Sequence, residues 1–261
     1  MKGIPSVNYR IEPLPITKEF GEMWNAAASH IQLRLRDGGG RWLRSELPGF
    51  REHFSFAYGN QLFFVQILDV NGGEQEWVHL ERLTSVADEA NGIPCIMPMN
   101  ESGGKWLPVE PGWGLLDLRS DQPIDPNKVS TDEAIVISEW EVHDIGVQVS
   151  RDFLKNDGFK IISWQSNVEI NPSIYCEKGG QYYSVIVRTS RKGPDVAVRP
   201  ENSSELSALY KSHDSKGLFI GLKIVSENDR FDPRLEHLTR RICRRDAIIC
   251  SDIVVEPLLL N

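Results

Sequence analysis

Cysteine is scarce in this chain. Four are present in 261 residues: Cys95, Cys176, Cys243 and Cys250. None forms a CxxC, and the nearest two, Cys243 and Cys250, stand seven positions apart. A disulfide framework needs a denser set and a zinc knuckle a tighter one. The expected state is reduced, mostly buried thiols in a cytoplasmic protein. The six histidines are scattered singly, so no metal-ligand cluster is legible. Long apolar runs are missing too. No window approaches the roughly 18–20 apolar residues of a membrane span. The opening MKGIPSVNYRIEPLPIT is broken by prolines and lacks the apolar centre of a signal peptide. The P-loop, the dinucleotide glycine pattern, the GxSxG elbow and the kinase signatures are absent. So are internal repeats and low-complexity tracts.

Basic charge is also in short supply, with 29 Lys+Arg against 37 Asp+Glu and a net charge of -8. That balance excludes a chain-wide attraction to nucleic acid or anionic lipid, while leaving room for a local basic patch. The rest of the composition is that of an ordinary globular chain, 40% hydrophobic and 25% charged. A chain of this length buries about 70–75% of its unfolded surface and needs no staple.

The first fifteen residues read as an extended arm, with prolines at 5, 13 and 15. From Thr17 to about Arg36, Phe20, Met23, Trp24, Ala27, Ile31 and Leu35 recur at spacings of three and four, the period of a helix. Thr17 suits the N-cap and Gly38-Gly39-Gly40 the stop. Because the glycines follow a helix, they predict a turn rather than a phosphate cradle. His53–Tyr58 and Gln61–Val70, joined by Gly59-Asn60, read as a hairpin. Trp77–Asn91 reads as a short helix and Ile93–Met99 as a buried run. Residues 100–127 are rich in turn formers and read as an irregular connection. Phe54, Phe56, Phe63, Phe64, Trp106 and Trp113 suit core filling, with a base-stacking platform as the alternative. The boundary falls near Val129, dividing residues 1–128 from 129–261.

The second part is more regular. A helix is predicted over Asp132–Asn156, capped by Thr131 or Asp132. Strands follow at Phe159–Gln165, Ser173–Glu177 and Tyr182–Thr189, then a helix at Ser203–Ser212 and a strand at Leu218–Val225. A helix at Pro233–Arg245 and a strand at Ala247–Val255 complete the chain. The predicted class is α/β, or α+β in the first part.

Within this pattern, Asn171-Pro172-Ser173-Ile174, a hairpin, and Val185-Ile186-Val187-Arg188-Thr189 resemble the PD-(D/E)xK core of the restriction-endonuclease-like superfamily. The resemblance covers about sixty residues. It implies a mixed sheet flanked by helices over residues 129–261, with residues 1–128 as a hairpin-and-helix element. In that superfamily two strand carboxylates hold Mg²⁺ and a lysine steadies the developing charge. Here Ser173 stands in place of the first acid, Ile186 of the second and Arg188 of the lysine. Serine and isoleucine are poor ligands for a hard cation. The expectation is a protein without a cofactor that binds a protein or nucleic-acid partner and does not cut.

Two alternatives stand beside it. One is a Mg²⁺- or Mn²⁺-dependent nuclease with relocated acids, Glu141 on the helix or Glu169 in the loop. Glu177 shares the face of Ser173 but lies about 13 Å along the strand, at ~3.3 Å per residue. The other is a protein-interaction module of a defence or immunity system. Arg240, Arg241, Arg244 and Arg245, if helical, share one side and suit a phosphate or an acidic partner, with Arg191 and Lys192 extending the patch. His143 and Asp144 sit on the same helix as Glu139 and Glu141, and His143 reads as a surface histidine.

Overall fold

The computed structural model describes residues 16–45, 53–72, 80–191, 197–227 and 242–258. The predicted N-terminal arm, the start of the Trp77–Asn91 helix and most of the Pro233–Arg245 helix lie outside them. The chain is α+β, with two mixed sheets and five helices among the described residues. It divides into two compact units between Ile135 and Val136.

In the first unit, α1 (Lys18–Gly38) is capped by Thr17, whose Oγ1 accepts from Phe20 N, and closed by Gly39 at φ 73°. Phe20, Met23, Trp24, Ala27, Ile31 and Leu35 are all buried, so the predicted stripe is the packed face. The hairpin is β2 (Phe54–Tyr58) with β3 (Gln61–Asp69). Helix α2 (Leu80–Glu89) carries the chain across to β4 (Ile93–Ser102), which runs parallel to β3. The segment read as irregular holds β5 (Lys105–Pro108), β6 (Leu116–Asp117) and the one-turn α3 (Pro126–Val129). A strand β1 (Arg41–Arg44) pairs with β2. These pieces are too short for a period to declare itself. Phe54, Phe56, Phe63 and Phe64 are fully buried and Trp113 nearly so, which makes them core rather than a stacking platform. Trp106 is half-buried and packs against the same core.

The second unit begins with α4 (Glu139–Asn156). It starts at Ser138, not Asp132, because Ser138 and Glu141 form a capping box. Thr131 and Glu133 are instead held by Asn60, whose Nδ2 donates to Thr131 Oγ1 and to the Glu133 carbonyl. The chain continues as β7 (Lys160–Trp164), β8 (Ile174–Lys178), β9 (Gln181–Ser190), α5 (Ser203–Ser212), β10 (Ser215–Ser226) and β11 (Ile248–Pro257). The sheet order is β11-β10-β9-β8-β7. β7, β8 and β9 form an antiparallel meander, β9 and β10 are parallel, and β10 and β11 are antiparallel.

Alternation along β9 assigns the two faces. Val185 and Val187 pack with Val142, Val147 and Leu154 of α4 and with Ile220 and Leu222 of β10. Ile186 points the other way, into Leu206 and Tyr210 of α5, Phe219 and Leu258. Helix α4 comes so close to β9 that a Cβ on Gly146 would lie 2.2 Å from Thr189 Cγ2. Residues 242–245 are not helical. Ile137 N donates to the Ile242 carbonyl, and Cys243 bridges to Val136.

Candidate functional site

The residues singled out for chemistry gather where β7 and β9 end and β8 begins. Ser173 is fully buried there. Its N–H donates to the Val185 carbonyl at 2.8 Å, and its carbonyl accepts from Gln165 N at 2.9 Å. Its hydroxyl oxygen accepts from Val187 N at 3.2 Å. Arg188, half-buried, donates through Nη1 to the Val187 carbonyl at 2.8 Å and through Nη2 to Asn171 Oδ1 at 3.1 Å. Pro172 precedes Ser173 and has no N–H with which to prolong the ladder. The side chains of Ser173 and Arg188 therefore satisfy both polar groups of the Val187 residue, as a buried backbone requires.

Ile186 is fully buried in its apolar cluster. Ser173, Ile186 and Arg188 are thus brought together at one sheet end.

Glu141 does not join them. Its helix packs against the face opposite Ile186. Its carboxylate accepts from Ser138 N at 2.9 Å and is gripped by Arg244, Nε to Oε1 at 3.0 Å and Nη2 to Oε2 at 3.1 Å. The side chains are 4% exposed for Arg244 and 9% for Glu141. Both of its oxygens are thus occupied by Arg244 and the Ser138 N–H. Glu169 lies exposed in the Gln165–Pro172 loop, its N–H donating to Asn167 Oδ1. Among the described residues no three His, Cys, Asp or Glu side chains stand where they could hold a metal ion.

Only part of the predicted arginine patch falls among the described residues. Arg240, Arg241 and Lys192 lie outside the described residues. Arg244 is buried in its ion pair, and Arg245 is exposed in a turn rather than on a helix. Arg191 pairs with Glu139 at 2.7 Å and donates to the Ile137 carbonyl.

Three residues acquire weight that the sequence reading did not give them. His143, read as a surface histidine, is 1% exposed, and neither ring nitrogen has a hydrogen-bond partner. Burial and then the positive charge of Arg188 push its pKa down to about 4. Tyr210 is buried with its hydroxyl likewise unpartnered. Burial raises its pKa, and the Arg188 charge opposes the rise. Asp144 is a buried carboxylate that accepts from Ser166 Oγ at 2.5 Å and from Gln148 Nε2. The i,i+4 spacing of Asp144 and Gln148 is the signal that would have found it.

Residues 140–246 resemble a domain of unknown function, DUF8840. That span contains both partners of the Glu141–Arg244 pair, the whole meander β7–β9, α5 and β10. No curated protein and no solved structure matches the chain.

Proposed function

We propose that the second unit is nuclease-like in its order of elements and non-catalytic at its site, and that the protein acts in the cytoplasm by binding a protein partner. The order helix, three antiparallel strands, helix and parallel strand supports the nuclease-like half of this reading. The observation that carries the other half is the employment of Ser173 and Arg188 on Val187, with Ile186 sealed beside them. A metal site at these positions would need carboxylates open to water and to phosphate. Here one position is a buried strand-end acceptor and the other is core. The partner is taken to be protein because Arg191 and Arg244, two of the arginines predicted to meet phosphate, are ion-paired within the fold, in a chain of net charge -8.

The relocated-acid nuclease is the second reading, and Asp144 is the observation that favours it. The test is a thermal melt with Mn²⁺ or Mg²⁺ against EDTA, beside a cleavage assay on DNA and RNA. Metal at about 100 times its dissociation constant adds roughly 2.7 kcal/mol to a protein that holds it. No shift and no cleavage are expected. A metal-dependent shift with cleavage, both lost in Asp144→Asn, would establish the nuclease instead.

A further inference from the structure

Arg188 differs from its neighbours in the second unit. Arg191, Arg199 and Arg244 pair with Glu139, Glu256 and Glu141. Arg188 hydrogen-bonds only to neutral groups, the Val187 carbonyl and Asn171 Oδ1, and among the described residues no carboxylate meets it. A half-buried guanidinium without a counter-charge is costly, and the planar fork keeps donors to spare. The hydroxyl of Tyr210, also without a partner, is electrostatically coupled to Arg188 from the α5 side. The guanidinium thus has spare donors and no anion among the described residues, and the missing member is an anion.

We propose that Arg188, with Asn171 orienting it and Tyr210 beside it, receives a carboxylate from a protein partner, either an acidic side chain or a chain terminus. The inference rests on the reading that this unit binds rather than cuts. A carboxylate matches the bidentate reach of the fork. A nucleic acid is disfavoured because its affinity is built from many phosphate contacts, and the nearby arginines are already paired.

The experiment is a titration of the full chain with an oligoglutamate peptide, followed through the Arg188 side-chain Nε–H resonance. Inorganic phosphate and a single-stranded oligonucleotide serve as comparison probes. The expected result is a saturable shift with oligoglutamate, weakened roughly tenfold or more in Arg188→Gln. Arg188→Lys should retain part of the binding, since it keeps the charge and loses the fork. Tyr210→Phe should weaken binding while leaving the melting temperature unchanged or raised, because it deletes an unsatisfied hydroxyl. A resonance that no probe moves, a response limited to phosphate or the oligonucleotide, or undiminished binding in Arg188→Gln would overturn the proposal. Metal-dependent cleavage would instead overturn the underlying reading, so the two failures are distinguishable.

Discussion

The hydroxyl oxygen of Ser173 lies 3.2 Å from the backbone nitrogen of Val187 and accepts its proton. That bond replaces the main-chain partner lost where β8 starts. Replacing Ser173 with alanine leaves a buried N–H unsatisfied, at a cost of about 1–3 kcal/mol. Chemical denaturation of the variant should show that loss, with no change when Mg²⁺ is added. Ser173→Asp should not create metal-dependent cleavage, because Ile186 supplies no second carboxylate. Cleavage by that variant would contradict the structural role assigned here.

Glu141 and Arg244 form a buried bidentate pair, and removing one partner strands the other charge. Glu141→Gln and Arg244→Met should each cost about 3–5 kcal/mol, whereas the double replacement should cost much less than their sum. A double-mutant cycle by urea denaturation measures the coupling. Additive losses would show that the two side chains act separately.

Gly146 sits where α4 meets β9. Alanine would gain about 1 kcal/mol of helix propensity, but its Cβ would fall 2.2 Å from Thr189 Cγ2. Overpacking of this kind costs about 1–3 kcal/mol, so Gly146→Ala should destabilise. Thr189→Ser removes the offending methyl and should recover most of the loss. Comparing Gly146→Ala with the Gly146→Ala/Thr189→Ser double variant by thermal melt decides whether that close approach sets the helix position.

His143 should make the second unit acid-sensitive. Its folded pKa, about 4, lies below the ordinary 6.5. The unfolded chain therefore takes up the proton first as pH falls, and stability drops between pH 6.5 and about 4. One buried histidine shifted this far contributes up to roughly 3 kcal/mol across that window. His143→Gln should flatten that part of the pH–stability curve. An unchanged slope in the variant would assign the acid sensitivity elsewhere, for example to His53, whose pKa is pushed to about 3 by burial and by Arg44.

Much of the fold was legible because its elements are long and one-sided. The α1 stripe and the meander β7–β9 follow from apolar spacing and turn residues alone. The start of α4 was misread although its signal is present, since Ser138 and Glu141 spell a capping box. The Thr131-Asp132 start lacks a glutamate or glutamine three residues on. The four-residue strands β1 and β5 had too few residues to show a period. The site was legible only in outline. Ser173, Ile186 and Arg188 do meet, but their employment on Val187 depends on where β8 stops. The fate of Glu141 depends on an arginine 103 residues away, and no local pattern announces such a pairing.

That distance along the chain also says something about the order of events in folding. Closing a loop of this length carries an entropic penalty of a few kcal/mol before any contact is made. The meander, α5 and β10 lie between the two residues and supply closer-range contacts first. The Glu141–Arg244 clasp is therefore expected to close late in assembly. On that expectation, Arg244→Met should raise the unfolding rate more than it lowers the folding rate, which stopped-flow denaturant jumps would measure.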